Sequence, residues 1–190
     1  MRTEIRIAGR GGQGVVLAGA IIGESLVVEG YNVAQTRSYG SAARGGVCKV
    51  DIAVEAGEAL YGVDIANLSY LISLSDEAFQ KFSRDESVTG ETVVVSDSLV
   101  SWQSGGVDPD TVVVLPATEK AESLGSHLYT NMVLLGMFCG LTNLFSLEVL
   151  KEVVKRRVSK FLDQNLQAID EGFSWAQGKE LRKASPPIVA

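Results

Sequence analysis

Three glycines carry the first chemical signal. Gly9, Gly11 and Gly14 stand at the spacing G-x-G-x-x-G, after a weakly alternating segment over 4–8 and before an apolar run over 15–28. Glycine lets backbone approach a ligand closely, and the free N–H groups at the positive end of a following helix attract an anion such as a phosphate. Two departures narrow the ligand. A dinucleotide site carries an acidic residue about 20 positions on, at the end of the second strand, to hold a ribose; here that strand ends in Gln35, Thr36 and Arg37. A P-loop carries Lys and Ser or Thr directly after its last glycine, whereas Val15 and Val16 follow Gly14. ATP hydrolysis is therefore not indicated. The competing reading is a tight strand-to-helix turn packed against a neighbour.

A second constellation is Ser38-Tyr39-Gly40-Ser41-Ala42-Ala43-Arg44-Gly45-Gly46. In an open α/β sheet, loops at the carboxyl ends of the strands surround the ligand crevice, so this loop can stand beside the first and share one surface with it. Arg44 beside two glycines offers a fork for a carboxylate or phosphate, and Tyr39 offers an aromatic face with a hydroxyl. The plainer alternative is a surface loop whose arginine pairs with a local acid.

The elements that position these loops follow from periodicity. Strands are expected over 4–8, 32–36, 47–54, 69–74, 92–95 and 111–115, with an irregular loop over 37–46. The run 15–28 reads as a helix, apolar nearly all round and covered on both sides, with Gly19 and Gly23 on one face where a neighbour can come close. Segment 76–82 reads as a short helix, and after Pro116 the segments 119–124, 129–139 and 146–176 read as helices. The last of these has Ser146 as N-cap and Glu148 in its first turn. Its apolar stripe runs through Leu150, Val154, Phe161, Leu166 and Phe173, with a possible kink near Ser159. Strands alternating with helices indicate a mostly parallel sheet with helices on both faces, backed by a C-terminal helical layer.

Composition sets the outer bounds. The 190 residues suit one domain with a full core, and 46% apolar against 21% charged residues is a globular balance. The net charge of −6 supplies no general attraction to phosphate backbones, so nucleic acid is not an expected partner. Cys48 and Cys139 lie far apart with no nearby Cys or His, so neither a zinc site nor an iron–sulfur motif is written here. The start of the chain lacks a signal-peptide core and no stretch approaches the roughly 18 apolar residues of a membrane span. A cytoplasmic setting without membrane contact is the expectation.

Single residues carry weaker signals. His127, the one histidine, reads as a capping or packing residue, and both cysteines read as small core residues. Lys151, Lys155, Arg156, Arg157 and Lys160 read as a solvated helix face rather than a dock for an acidic partner. Asn131 stands in an apolar helix, where burial without partners costs about 1 to 3 kcal/mol, so a hydrogen-bond partner is expected for it. A mean hydropathy of +0.17 in an acidic chain fits a subunit with an extensive interface.

Taken together, several segments carry a resemblance that none carries alone. Gly9-Arg10-Gly11-Gly12-Gln13-Gly14-Val15, then Gln35-Thr36-Arg37-Ser38-Tyr39-Gly40 and Ala43-Arg44-Gly45-Gly46, then Pro116-Ala117-Thr118-Glu119 and Asn131-Met132-Val133-Leu134-Leu135-Gly136 resemble the gamma subunit of 2-oxoacid:ferredoxin oxidoreductases. The 2-oxoglutarate type is the most similar, over about residues 4–172. Ser41-Ala42 departs from the Pro-Glu usual in that type, which bears on the substrate rather than on the family.

The resemblance implies a Rossmann-like three-layer α/β domain over 1–178, with 179–190 as a flexible or partner-bound tail. It implies a complex with alpha and beta subunits, with or without a delta subunit, that decarboxylates a 2-oxoacid on thiamine diphosphate with magnesium. Electrons pass through 4Fe–4S clusters to ferredoxin, and the acyl group leaves as its coenzyme A thioester. Those cofactors would sit on other chains, no catalytic or metal-binding residue is expected on this one, and the isolated chain would be inactive, either alone or as a homodimer. The residues expected near substrate or coenzyme A are Gly9, Gly11, Gly12, Gln13, Gly14, Ser38, Tyr39, Arg44, Gly45, Gly46 and Asn131. An indolepyruvate, pyruvate or ketoisovalerate enzyme subunit and a stand-alone nucleotide-binding module are the alternatives.

Overall fold

Strand alternation builds the centre of the molecule, which is described by a computed structural model over residues 2–40, 46–57, 59–102, 107–177 and 179. In β1 (Arg2–Arg10), Ile5 and Ile7 join the larger apolar core on one face of the sheet while Ala8 joins a smaller one on the other. The remaining strands are β2 (Asn32–Tyr39), β3 (Val47–Glu55), β4 (Tyr70–Ser73), β5 (Val93–Asp97) and β6 (Val112–Leu115), in the spatial order β2-β3-β1-β4-β5-β6. β1, β4, β5 and β6 run parallel, and β3 is antiparallel to both β1 and β2. The link between β2 and β3 is too short for a crossover, which needs about a dozen residues, so these two strands close as a hairpin.

The helices are α1 (Val15–Val28), α2 (Asp76–Phe82), α3 (Ala117–Ser123), α4 (Thr130–Thr142), α5 (Leu147–Arg157) and α6 (Leu162–Ala176). α1 and α4 cover the larger core, where Tyr70 of β4 meets the Phe138 ring edge-on at 5.3 Å. α5 packs on α1 and α6 on α4 as an outer helical layer, and α2 covers the smaller core through Phe79 and Phe82. The fold is thus the expected α/β sandwich with a mostly parallel sheet and a C-terminal helical layer.

Local chemistry explains the ends of α1. Gly14 takes the N-cap position in the left-handed region, φ +74, and has no side chain to cap the first amides. At the other end Gly30, φ +96, turns the chain so that its amide reaches the Val27 carbonyl at 3.0 Å and the Tyr31 amide reaches that of Leu26 at 3.1 Å, a Schellman stop. Gly19 is where the sheet comes close, because a Cβ there would stand 2.6 Å from Val50 Cγ1. Val27 and Val28 are about half exposed, so the cover expected on both sides of this helix ends before its last turn.

Two expectations change. β2 continues to Tyr39, because Ser38 and Tyr39 pair with Lys49 and Cys48 of β3; they belong to the hairpin and not to the loop expected from Arg37 onward. The segment expected as one helix over 146–176 is two, since α5 ends at Arg157 and α6 starts at Leu162 after Phe161 turns left-handed. Phe161 therefore leaves the apolar stripe. The basic cluster of α5 lies on a solvated face, as expected, and makes surface pairs: Lys151 with Asp170, Lys155 with Glu152, and Arg156 and Arg157 with Glu24 of α1. The tail expected over 179–190 lies, apart from Lys179, outside the described residues.

α4 and α6 cross with almost no side chain between them. A Cβ on Gly136 would collide with the Ile169 carbonyl, and one on Gly172 with the Val133 carbonyl. The glycine that ends the Asn131-to-Gly136 motif is therefore a packing residue.

Candidate functional site

The carboxyl ends of β1 and β4 lie side by side, where the chain leaves β1 to build β2 and β3 on one flank and returns to β4 on the other. Such a switch point opens a crevice in a parallel sheet. The glycine loop over 10–14 crosses this opening and is pinned by Gln13. Gln13 Oε1 accepts the Arg10 amide at 2.6 Å, and Gln13 Nε2 donates to the Leu74 carbonyl at 2.8 Å. Both polar ends of Gln13 are thus spent on backbone. Gly9 leaves the room this needs, because a Cβ there would stand 2.8 Å from Gln13 Oε1 and 2.9 Å from Leu74 Cβ.

The second motif meets the first here. The Gly11 amide donates to the Gly46 carbonyl at 3.0 Å, so the loop after β2 does stand beside the glycine loop. Arg44 and Gly45 lie outside the described residues. Ser38 and Tyr39 sit on the exposed outer strand of the hairpin and are not among the described residues that line the crevice; Tyr39 is 67% exposed.

Two hollows flank the loop. One, of about 320 Å³, is half polar and is bounded by Arg10, Gly12, Gln13, His127, Leu128 and Asn131, among others. The other, of about 480 Å³, is largely apolar and is bounded by Gly14, Leu17, Leu128, Met132, Val158 and Phe161. They share Gly12, Gln13, Leu128 and Asn131. At the rim of the first hollow, Arg10 Nε bonds Glu77 Oε2 at 2.8 Å, and this partner holds the Glu77 carboxyl below its ordinary pKa.

Asn131 is the polar side chain at the junction. It is 6% exposed, it stands against Gly14 so closely that a Cβ on that glycine would collide with Nδ2, and its Oδ1 is buried without a partner. The partner expected for it from sequence is therefore missing for that atom. A buried acceptor left unpaired costs about 1 to 3 kcal/mol.

Sequence reasoning missed Arg10, His127, Leu128 and Phe161 as wall residues. Arg10 lies inside the glycine motif, and His127 stands four residues before Asn131, which was the available signal. His127 is exposed and borders the first hollow. Its backbone is held by a polar chain from the sheet. Asp97 Oδ2 accepts the Thr118 amide at 3.0 Å and also its hydroxyl, the Thr118 and Thr130 hydroxyls meet at 3.3 Å, and Thr130 donates to the His127 carbonyl at 2.7 Å. Thr130 thus closes the 3-10 turn His127–Tyr129, and Thr118 of the Pro116-to-Glu119 motif stands beside it, held by Asp97. Among the described residues, no group of three or more His, Cys, Asp or Glu side chains could hold a metal ion.

The family model described as pyruvate ferredoxin/flavodoxin oxidoreductase matches residues 4–175. The chain belongs to that family. Within it, the chain is 35% identical over 188 residues to the 2-oxoglutarate synthase subunit KorC of Archaeoglobus fulgidus, covering 98% of this chain and 92% of that one. The gamma subunit of a keto/oxoacid ferredoxin oxidoreductase from Geobacter sulfurreducens superposes with a TM-score of 0.76 at 29% identity, over 93% of this chain and 97% of that one. The 2-oxoglutarate:ferredoxin oxidoreductase of Magnetococcus marinus, solved with 2-oxoglutarate, coenzyme A and succinyl-CoA bound, superposes with a TM-score of 0.79 at 26% identity, over all of this chain and 33% of that one. This member of the pyruvate ferredoxin/flavodoxin oxidoreductase family is thus of the gamma-subunit type.

Proposed function

We propose that the chain serves as the gamma subunit of a 2-oxoglutarate:ferredoxin oxidoreductase and that its crevice forms the coenzyme A side of the active site. The observation that carries this reading is the convergence of the α1 amino end, the Gly46 loop and the unpaired Asn131 Oδ1 on one opening at the sheet switch point. The first amides of α1 have no intrahelical acceptor, and Gly14 supplies no cap, so they are available to a phosphate. Asn131 Oδ1 accepts a hydrogen bond from the same ligand. Arg44, in the loop that Gly46 ties to Gly11, adds a guanidinium for a phosphate or for a partner carboxylate. The likeness to the A. fulgidus subunit over nearly its whole length favours 2-oxoglutarate as the acid.

In this reading the chain binds, orients and excludes water, and performs no bond chemistry. Thiamine diphosphate with magnesium and 4Fe–4S clusters, held by alpha, beta or delta chains, would supply the decarboxylation and the path of two electrons to ferredoxin, and the acyl group would leave on the coenzyme A thiol. The isolated chain is accordingly inactive.

Two measurements test this. Affinity purification from native cells under anaerobic conditions should recover the chain with thiamine-binding and cluster-binding polypeptides; recovery alone with its own turnover overturns the reading. In the reconstituted complex, Arg44→Ala should raise the KM for coenzyme A and slow acyl transfer while decarboxylation continues. Unchanged KM, turnover and assembly would remove Arg44 from the proposal.

A further inference from the structure

The sheet ends on one side in β2, whose outer edge is open. The Gly40 amide donates to the Val47 carbonyl at 2.9 Å, so by antiparallel alternation Asn32, Ala34, Thr36 and Ser38 also turn their backbone groups toward β3. Val33, Gln35, Arg37 and Tyr39 turn theirs outward, and no described residue bonds them. Native sheets blunt such edges with short strands, prolines, bulges or lysines. The opposite edge, β6, does so, being four residues long and followed by Pro116. β2 does not. Its eight residues pair with β3 without a break and include neither Pro nor Lys.

Exposed apolar groups flank this edge at its two ends. Tyr39, 67% exposed, ends the strand. Val27 and Val28, about half exposed, stand at its start. A Cβ on Gly23 would lie 3.0 Å from Gln35 Oε1 and 3.8 Å from Val33 Cγ1, and Val27 is one turn further along that helix face, toward the turn into β2. Val33 and Tyr39 share the α1 face of the sheet, about 20 Å apart along the strand. A strand that covers the edge fits best when it brings an aromatic side chain to the valine end and a small apolar one to the tyrosine end. β2 itself has that pattern when turned end for end.

We propose that β2 pairs with β2 of a second copy of this chain, antiparallel about a two-fold axis at Thr36. In that register Val33 faces Tyr39 of the second copy and Gln35 faces its Arg37, so all four outward residues exchange backbone hydrogen bonds. Aromatic–β-branched pairs of this kind stabilise a sheet, whereas like charges directly opposite destabilise it. A shift of two residues either way loses one of the four pairs, and in one direction it sets Arg37 against Arg37. On the other face Ala34 meets Ser38 and Thr36 meets Thr36, small side chains that leave the joint flat. The contact is isologous, so it closes as a dimer and stops there. Any complex built on it holds this chain in even number.

The test is the mass of the purified full chain by sedimentation equilibrium, together with cross-linking at the axis. The unsubstituted chain should sediment at twice the 20.2 kDa chain mass. Thr36 is exposed and tolerates change, so Thr36→Lys and Thr36→Glu should each keep the far-ultraviolet circular dichroism of the fold and raise the dimer dissociation constant about tenfold. Mixing the two variants should restore a dimer. Residues opposed at a non-hydrogen-bonded position have Cα atoms about 4.5 Å apart, within disulfide reach. Thr36→Cys should therefore cross-link on mild oxidation, whereas Ser38→Cys, whose opposite residue is Ala34, should not; the native Cys48 and Cys139 are buried. The proposal is overturned if the full chain is monomeric at high micromolar concentration, if Thr36→Lys and Thr36→Glu dimerise as well as the unsubstituted chain, or if Ser38→Cys cross-links as readily as Thr36→Cys. A monomeric chain whose Thr36→Lys variant no longer recovers alpha and beta subunits would give the edge to a partner subunit and overturn it equally.

Discussion

Gln13 Nε2 donates to the Leu74 carbonyl at 2.8 Å, and this bond ties the glycine loop to the carboxyl end of β4. Its Oε1 closes the same loop on the Arg10 amide. Gln13→Leu removes both bonds and leaves two backbone groups to find other partners. It should destabilise the chain by about 1 to 3 kcal/mol in denaturant titrations and weaken coenzyme A binding through a loosened loop. Gln13→Glu keeps the acceptor and should fall between; equal stability for all three chains would show that Gln13 does not pin the loop.

Gly136 lies under the backbone of α6 at Ile169. Ala at this position has no space unless the two helices separate, and overpacking of this kind costs about 1 to 3 kcal/mol or more. Gly136→Ala should lower the chemical-denaturation midpoint, and Gly172→Ala should act in the same direction because it meets Val133 across the same crossing. Ala at Gly90, which has open space, has no such contact to break.

Arg6 and Asp51 form a buried pair beneath Phe82, with the Nε–Oδ1 distance at 2.6 Å and side-chain exposures of 3% and 8%. Asp51→Ala leaves the guanidinium with Asp85, 3.3 Å away, as its remaining acid. Removing one partner of a buried pair costs about 3 to 5 kcal/mol. The double change Arg6→Met with Asp51→Leu should recover much of that loss, and thermal unfolding of the three chains checks the order.

Burial pushes the Cys139 thiol up to about 12 from an ordinary 9, with the carboxylates of Glu148 and Glu29 adding to the effect. Its Sγ donates to the Phe145 carbonyl at 3.2 Å. The folded chain holds this proton more tightly than the unfolded one, so the contribution to stability is intact below pH 9 and falls as pH rises from 9 toward 12, by up to about 1.4 kcal/mol per pH unit. Cys139→Ala should flatten that part of the stability profile. In the native chain Cys139 should resist alkylation at pH 8 and react only on unfolding.

The position of the first loop and the identity of most elements were legible in the residues, because alternation along 4–8 and 47–54 and the apolar run over 15–28 are local patterns with local causes. The glycine spacing likewise announced an open helix end, and Gly19 announced a close approach that Val50 makes. Tertiary structure alone decided the rest. The reversal of β3 and the bond from Gly11 to Gly46 depend on which strands become neighbours across the sheet. The break at Phe161 went unread because its apolar side chain fits the helical stripe of 147–173, while its left-handed backbone is met by Asn165 Nδ2 on the Phe161 carbonyl. Spacing predicts which face a residue takes along one element; it carries no term for the packing of one backbone on another, such as Gly136 against Ile169.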